Sequence, residues 1–325
     1  MSTSVYVLSR GDVRQLETFR QLAPEGVEIT WVDATQPLEQ QAAQLREAAA
    51  VIAAPPVFSV ELALKCPSLR LVQTVSAGTN TIDIAALNEL GVRVANNGGG
   101  NAVAVSEHTV ALMVSVYRKM HLQFQAVKDR QWAGDIRTAW VSQAYELTDK
   151  TVGIVGLGRI GQRVARRLQG WDCKLIYHDV AKFPPALEEA LHLTRVGLDD
   201  LLRTADIMTL HVPLTRQTKG LISDREFNLM KPTAVLINAC RGPVVDEAAL
   251  IRALQARKIM AAGLDVLEEE PTPANNPLLD MDNVLITPHL AAFAQESYEK
   301  SHAFAVQNTA RVARGEEPES VVDYF

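Results

Sequence analysis

Residues 151–179, TVGIVGLGRIGQRVARRLQGWDCKLIYHD, decide the fold of this chain. The stretch opens on a short apolar run that reads as a buried strand, and apolar residues recur at helical spacing further on. Between the two patterns, Gly156, Gly158 and Gly161 fall in the order G-x-G-x-x-G. The stretch therefore predicts a strand, a glycine turn, a helix and a second strand at residues 175–177.

This order of elements is typical of a dinucleotide-binding turn. The first glycine permits a tight turn, the second lets the backbone approach a pyrophosphate, and the third lets helix pack close to strand. The free N–H groups at the start of the helix attract the anion. Asp179, after the second strand, is placed to bind the ribose hydroxyls and repels the 2′-phosphate of NADP, so NAD is the predicted cofactor. The alternatives are an ordinary turn and a solvated aspartate, and nearby His178 and Lys182 leave the strictness of the NAD preference open.

The composition is that of an ordinary globular protein, with 47% hydrophobic and 22% charged residues. A length of 325 residues favours two domains, and a net charge of −6 gives no reason to expect a nucleic acid or an anionic membrane as partner. No stretch has the form of a signal peptide or the run of about 18 apolar residues that spans a bilayer. Cys66, Cys173 and Cys240 are too far apart in sequence for a disulfide framework or a metal site. We therefore expect a reduced, cytoplasmic protein without a bound metal.

The chain before residue 95 alternates strand-like runs such as SVYVLS and AVIAA with amphipathic stretches such as VRQLETFRQL. This βαβα pattern predicts a first parallel sheet, and it contains no G-x-G-x-x-G. Ser76, Ala77 and Gly78 follow one of its strands, where open α/β sheets place ligands, and their backbone N–H groups could bind a carboxylate. The alternative is a plain turn capped by Asn80 or Thr81.

Three consecutive glycines at residues 98–100 mark a crossing between domains. We expect residues 1–100 and 292–325 to form one domain and residues 101–291 the other. In this arrangement the last helix, from about Ala294 to Arg314, packs back on the first domain.

A long helical pattern follows the glycines, from Ala102 to about Arg130. Its first half is apolar on nearly all sides, and a helix of that kind must be buried. We interpret it as wedged between domains or packed against a second subunit, with core packing inside one chain as the alternative.

Further strands are predicted at DIMTL, AVLIN, GLDV and VLIT, and three functional groups follow the last three of them. Arg241 follows AVLIN, Glu270 follows GLDV and His289 follows VLIT, at the edge where doubly wound sheets hold their ligands. Arginine clamps a carboxylate bidentately, and histidine transfers a proton near neutral pH. A carboxylate beside the histidine favours its charged form and fixes its tautomer. The set suits hydride transfer next to a carboxylate, although the residues alone do not choose among Glu268, Glu269 and Glu270.

These motifs resemble the D-isomer-specific 2-hydroxyacid dehydrogenase family, and the resemblance spans most of the chain. The stretches that carry it are VGIVGLGRIG, LHVPLTRQTKGLI, NLMKPTAVLINACRG, GLDVLEEEP and NVLITPHLA. It implies an α/β fold of two doubly wound parallel-sheet domains, a flavodoxin-like substrate-binding domain and a Rossmann NAD-binding domain. It also implies hydride transfer between NAD(H) and a small 2-oxo acid or D-2-hydroxy acid, in a homodimer built on the helix after Asn101.

The resemblance also implies roles for single residues. The arginine of N-x-x-R-G, here Arg241, binds the substrate carboxylate. The glutamate before the proline of D-V-x-x-x-E-P selects Glu270, and the histidine of T-P-H, here His289, transfers the proton. Substrate binding is expected at Ser76, Ala77, Gly78, Arg241 and His289. Cofactor binding is expected at Gly156, Gly158, Arg159, Ile160, Gly161, Asp179, His211, Pro213, Thr218, Ala239, Cys240 and Asp265.

Other functions remain compatible with the same motifs. The family includes phosphite and formate dehydrogenases, but the SAGTN loop offers no lysine for a phosphite oxyanion. A non-enzymatic NAD(H)-sensing binding protein is the alternative from another class. Among 2-oxo acids, glyoxylate, hydroxypyruvate, branched or aromatic acids and 3-phosphohydroxypyruvate all stay open. Their selection depends on loops after Ala54, around Trp140 and around Phe293.

Overall fold

The computed structural model describes residues 3–11, 13–132, 134 and 143–322, which form two compact units. The described residues up to Asn101, together with those from Phe293 onward, make the first unit, and those of Ala102–Ala292 make the second. Trp140, which we expected to border the substrate pocket, lies outside the described residues. Within the described ranges, no helix combines the length and the apolar character needed to cross a membrane.

The first unit contains an all-parallel sheet of five strands. The strands are β1 (Thr3–Ser9), β2 (Val27–Asp33), β3 (Ala50–Ala54), β4 (Leu71–Thr74) and β5 (Arg93–Ala95). The helices between them are α1 (Val13–Leu22), α2 (Leu38–Leu45), α3 (Val60–Leu64) and α4 (Ile84–Glu89). The strand order is β2-β1-β3-β4-β5, which is the flavodoxin-like order of a doubly wound sheet. The predicted fold of the first half is confirmed.

The second unit contains an all-parallel sheet of seven strands. The strands are β6 (Thr151–Val155), β7 (Lys174–His178), β8 (Leu193–Arg195), β9 (Ile207–Leu210), β10 (Val235–Asn238), β11 (Ala261–Leu264) and β12 (Val284–Ile286). The helices are α5 (Ala102–Tyr117), α6 (Met120–Lys128), α7 (Arg159–Arg167), α8 (Pro185–Ala190), α9 (Leu198–Thr204), α10 (Asp224–Leu229) and α11 (Glu247–Gln255). The order β12-β11-β10-β9-β6-β7-β8 places the strand reversal between β6 and β9, as in the Rossmann fold.

The last helix, α12 (Gln295–Ala313), packs on α1 and on strands β1, β3 and β4 of the first unit. Its buried side chains include Ala305, Val306 and Ala310, which join the apolar cluster under β1 and β3. The C-terminal helix therefore completes the core of a sheet whose strands lie some two hundred residues earlier in the chain.

The helix after the glycines differs from its prediction. One continuous helix was expected, but α5 ends at Tyr117 and α6 begins at Met120, because Lys119 adopts a left-handed backbone with φ 51°. One face of α5 packs on α7 and on β10, β11 and β12. The other face is not fully buried within this unit, since Val103 and Val114 are half-buried and Ala111 is exposed. Core packing inside the unit thus accounts for only one side of this apolar helix.

Strand ends were predicted less accurately than strand positions. The stretch GLDV was expected to form a strand, but β11 ends at Leu264, so Asp265 opens the following loop. The short strand β8 was missed, because three residues carry too little pattern to be recognised. Every strand of the second sheet runs in the same direction, so the loops after β6, β9, β10, β11 and β12 all leave from one edge.

Candidate active site

The glycine turn between β6 and α7 has the geometry that each glycine was expected to serve. Gly156 has φ 93°, and a Cβ there would lie 2.7 Å from the carbonyl oxygen of His211. A Cβ on Gly161 would overlap the carbonyl oxygen of Gly156, so only glycine lets the helix approach the strand. A Cβ on Gly158, in contrast, would meet no atom within 4 Å, which leaves room for a pyrophosphate beside the start of α7. The turn fits a dinucleotide.

Asp179 is tied to that turn by its side chain. One carboxylate oxygen accepts the N–H of Leu157 at 2.6 Å, and the other accepts the N–H of Ala181 at 2.8 Å. The acid at the end of β7 therefore lies against the glycine turn, where a ribose beside the pyrophosphate would reach it. Ile160, in the first turn of α7, packs on an apolar cluster that contains Ala239. Two predicted cofactor positions from distant strands thus come together.

Arg241 lies in a short loop that Asn238 closes. The Asn238 side chain accepts the N–H of Cys240 and donates to the carbonyl oxygen of Arg241, both at 3.0 Å. The Arg241 guanidinium donates to the carbonyl oxygen of Cys240 at 2.6 Å. The next residue, Gly242, packs so close to the carbonyl of Leu267 that a Cβ would overlap it. The loop after β10 therefore packs directly against the loop after β11.

Cys240 is buried between these groups. Burial raises the pKa of its thiol to about 11, so the side chain stays a thiol at neutral pH. Its Sγ lies 3.1 Å from the Asn238 side-chain oxygen.

Glu270 and His289 form a direct pair. The imidazole Nδ1 lies 2.5 Å from one carboxylate oxygen of Glu270, and the other oxygen accepts the N–H of Leu267 at 2.9 Å. Both side chains are partly open to solvent, with exposed fractions of 47% for His289 and 36% for Glu270. The Glu268 carboxylate has a different partner, since it accepts the N–H of Glu247 at 3.4 Å. The Glu270 carboxylate thus lies at Nδ1, on the opposite side of the imidazole from Nε2.

His211, at the end of β9, is a second histidine at the same edge. Its Nε2 lies 2.9 Å from the hydroxyl of Thr209, and its Nδ1 is buried without a hydrogen-bond partner among the described residues. Burial lowers the pKa of His211 to about 3, so the ring is neutral. Beyond it, the carbonyl of Pro213 accepts the hydroxyl of Thr218 at 2.6 Å, which closes the turn of the P-L-T stretch.

The Ser76 loop belongs to the first unit and is fixed from within. The carbonyl of Ser76 accepts the hydroxyl of Thr74 at 2.9 Å, and the Ser76 hydroxyl donates to the carbonyl of Gly78 at 2.7 Å. None of the hydrogen bonds found within the described residues uses the N–H of Ala77 or of Gly78. These N–H groups are therefore available to an anion.

The alternative in which Asn80 or Thr81 caps the next helix is wrong. The N-cap of α4 is Asp83, whose side chain accepts the N–H of Ala86 at 3.1 Å.

Three polar residues near the site were missed by the sequence reasoning. Asn238 and Thr287 stand inside the quoted motifs and His108 lies on α5. The signal that could have found His108 is a titratable side chain inside a nearly continuous apolar helix. Among the residues that the structure describes, no group of three or more His, Cys, Asp or Glu side chains could hold a metal ion.

Comparisons with known proteins find relatives of this chain in one family. Residues 110–291 match the family described as D-isomer specific 2-hydroxyacid dehydrogenase, NAD binding domain. A glyoxylate reductase of Thermofilum pendens is 38% identical over 257 residues, which are 79% of this chain and 76% of that protein. Glyoxylate/hydroxypyruvate reductase B of Citrobacter koseri is 36% identical over 287 residues, 88% of each chain. The holo structure of Rhodotorula graminis D-mandelate dehydrogenase superposes with a TM-score of 0.85 at 28% identity and covers 100% of this chain and 99% of that chain.

Proposed function

The chain belongs to the D-isomer-specific 2-hydroxyacid dehydrogenase family, and from this premise we propose that its substrate is glyoxylate or hydroxypyruvate. It is an NAD-dependent oxidoreductase that transfers a hydride between NAD(H) and a small 2-oxo acid or D-2-hydroxy acid. The family resemblance and the reaction predicted from the sequence are confirmed. The two small oxo acids are proposed because of two relatives. The relative at 38% identity is a glyoxylate reductase, and the relative at 36% identity is a glyoxylate/hydroxypyruvate reductase.

The observation that carries the proposed mechanism is the 2.5 Å contact between His289 Nδ1 and the Glu270 carboxylate. Because Nδ1 faces Glu270, the other ring nitrogen, Nε2, is the atom that gives its proton to the carbonyl oxygen of the oxo acid. Once Nε2 has given up its proton, the ring is neutral, and its hydrogen bond to the Glu270 carboxylate is weaker than that of the charged ring. The stronger bond returns when the ring takes up a proton from solvent. In the reverse direction, Nε2 takes the proton of the hydroxyl group.

Arg241 is proposed to bind the substrate carboxylate, because its planar fork can donate two parallel hydrogen bonds and keeps its charge at every physiological pH. The free N–H groups of Ala77 and Gly78, beside Ser76, are proposed as further donors to that carboxylate. In this proposal the first unit contributes substrate contacts and the second holds the cofactor, as in the domain division expected from the sequence. NADH, when bound, supplies the hydride.

The cofactor is NAD, and we propose that the residues predicted from the sequence hold it. The glycine turn takes the pyrophosphate at the start of α7, and Asp179 takes the ribose hydroxyls. Asp179 also supports rejection of NADPH, because a carboxylate repels the 2′-phosphate.

A homodimer and a cytoplasmic location complete the proposal. The outer side of α6 exposes large apolar side chains, with Phe124 63% and Val127 55% exposed, and such side chains favour a protein interface. All three cysteines are free thiols, as expected of a protein in a reducing compartment. Light scattering on the purified protein is expected to give twice the chain mass of 35.6 kDa.

The test of the proposed function is turnover. The loss of NADH and of NADPH absorbance is followed side by side over 2-oxo acids graded from glyoxylate to phenylpyruvate, with phosphite and formate tested in the NAD⁺-reducing direction. We expect turnover with NADH on glyoxylate and hydroxypyruvate. Turnover only on phenylpyruvate or on 3-phosphohydroxypyruvate would overturn the proposed substrate, and no turnover with any acid would overturn the assigned mechanism.

A further inference from the structure

Asp265 accepts hydrogen bonds from three consecutive residues of the loop that carries His289. It follows β11, and its side chain is only 1% exposed. Its backbone carbonyl accepts the N–H of His289 at 2.8 Å. Its two carboxylate oxygens accept the N–H of Leu290 at 3.0 Å and the N–H of Ala291 at 2.9 Å. Only a carboxylate presents two acceptor oxygens to such a row of donors.

These hydrogen bonds hold a strained backbone. His289 has φ 55°, in the left-handed region that a residue with a side chain rarely adopts. Without the bonds to Asp265 the loop would relax, and its relaxation would turn the imidazole away from Glu270. The placement of His289 therefore depends on how firmly the Asp265 carboxylate is oriented.

Two further side chains orient that carboxylate. The hydroxyl of Thr287 donates to Asp265 Oδ1 at 2.6 Å, and His108 Nε2 lies 2.9 Å from the same hydroxyl oxygen. His108 Nε2 is also 3.5 Å from Asp265 Oδ1. A hydroxyl has one proton, and that proton is directed to the carboxylate, so the Thr287 oxygen must accept from His108. This direction requires a proton on His108 Nε2.

We propose that His108 is a positioning residue for the proton transfer, acting through Thr287 and Asp265 on the loop of His289. Helix α5 packs on β10, β11 and β12 and so carries His108 to the buried side of that loop. His108 touches neither Glu270 nor His289 in this network. The inference rests on the proposed function, because it presupposes that His289 is the proton donor.

The first experiment compares His108→Leu with His108→Gln. Leucine removes the donor to Thr287, whereas the glutamine amide can replace Nε2–H. We expect kcat for glyoxylate to fall about tenfold in His108→Leu, the effect of one lost hydrogen bond to a charged network, with KM for the oxo acid near its wild-type value. His108→Gln is expected to retain most of kcat.

Thr109→Val is the matched control. Thr109 is the next residue on α5, it is buried, and its hydroxyl donates only within the helix, to the carbonyl of Val105. Its substitution perturbs the same helix without touching the network, so kcat should not change. Equal losses in His108→Leu, His108→Gln and Thr109→Val would show a general structural effect and overturn the proposal.

Thr287→Val and Thr287→Ser test the middle of the network in the same way. Valine should lower kcat as His108→Leu does, and serine should retain it. Because both substitutions break one chain of hydrogen bonds, the double variant His108→Leu with Thr287→Val should lose little more than either single variant. Losses that multiply would mean that His108 acts by another route.

A readout that does not depend on turnover separates this inference from the proposed function. Backbone amide exchange is measured for His289, Leu290 and Ala291 in the wild type and in each His108 variant. In His108→Leu we expect faster exchange at these three amides and near wild-type rates at the other amides of the chain. In His108→Gln we expect near wild-type rates at the three amides as well. Unchanged exchange in His108→Leu would overturn the inference even if the enzyme turns over glyoxylate. If no oxo acid is turned over, the proposed function fails while the exchange data still decide the network.

Discussion

Two histidines stand at the same edge of the second sheet, and the structure gives them opposite chemistry. His211 follows β9, its buried Nδ1 has no hydrogen-bond partner among the described residues, and burial lowers its pKa to about 3. His289 follows β12, is 47% exposed, and faces the Glu270 carboxylate at 2.5 Å. Residue type and position at a strand end are therefore not sufficient to make a proton donor. The difference lies in the surroundings, because burial keeps the His211 ring neutral, whereas the His289 ring is open to solvent and contacts a carboxylate at Nδ1.

The largest expected effect comes from removing the paired histidine. We expect His289→Ala to lower kcat by more than about 100-fold, the scale of general acid–base catalysis, because His211 is neutral and cannot replace it. NADH binding, followed by fluorescence, should be retained, since the glycine turn is untouched. Full turnover in this variant would contradict the role given to His289.

Removing the partner instead of the histidine is the next test. Glu270→Gln keeps the shape of the side chain but removes the charge that distinguishes His289 from His211. We expect kcat to fall by about tenfold or more, the loss of a hydrogen bond between charged groups.

Glu268→Gln is the matched control, because the Glu268 carboxylate, two residues away, accepts the N–H of Glu247 and not a hydrogen bond from His289. It should keep wild-type kcat under the same assay. Equal losses of kcat in Glu270→Gln and Glu268→Gln would mean that the total negative charge of the loop, and not the pair of Glu270 and His289, determines the rate.

Arg241 lies at the end of β10, between the strands that carry the two histidines in the sheet order. Arg241→Lys replaces a planar fork by a point charge, so we expect KM for the 2-oxo acid to rise about tenfold with a smaller change in kcat. Steady-state kinetics with glyoxylate measure both constants. A KM equal to that of the wild type would place the carboxylate clamp elsewhere.

The smallest expected effect concerns the pH dependence of folding stability that comes from the buried His211. The unfolded chain protonates His211 near pH 6.5, whereas the folded chain does so only near pH 3. As pH falls from about 6.5 towards 3, the unfolded state therefore binds one more proton, and the folded state loses stability by at most about 1.4 kcal/mol per pH unit. We expect His211→Gln to reduce this loss, measured as free energy of unfolding at pH 7 and at pH 5.

In His211→Gln the loss of folding stability at acid pH should be smaller than in the wild type, but it should not disappear. Burial also lowers the pKa of His121 and of His302, so both continue to oppose folding in acid. An identical pH dependence in wild type and His211→Gln would show that His211 is not buried in its neutral form.

Much of the fold was predictable because its signals are local. The glycine turn, both flanking strands and α7 lie within 29 residues, so spacing alone constrains their geometry. Parallel strands read as continuous apolar runs since both of their faces are buried, and most strands of both sheets were found in this way. The break at Lys119 was not predicted, because a single left-handed residue leaves no mark on the apolar pattern of α5 and α6.

The contacts of the site span longer distances and needed the tertiary structure. Sequence spacing could not choose among three consecutive glutamates, and only the family resemblance selected Glu270. In the structure the Glu270 carboxylate contacts His289, and the Glu268 carboxylate accepts the N–H of Glu247. The pair of His108 and Thr287 joins residues 179 positions apart, on a helix and on a loop after the last strand. No periodicity links such positions, since they meet only when α5 packs on the sheet.

The sequence by itself thus determined the two parallel-sheet units, the dinucleotide turn and the order of functional groups along one sheet edge. These follow from short-range spacing, from apolar runs and from the rule that parallel strands end at a common edge. The tertiary structure alone decided which histidine is kept neutral and which buried side chains orient the loop of His289. Those outcomes depend on burial and on hydrogen bonds between distant segments, and neither exists before the chain has folded.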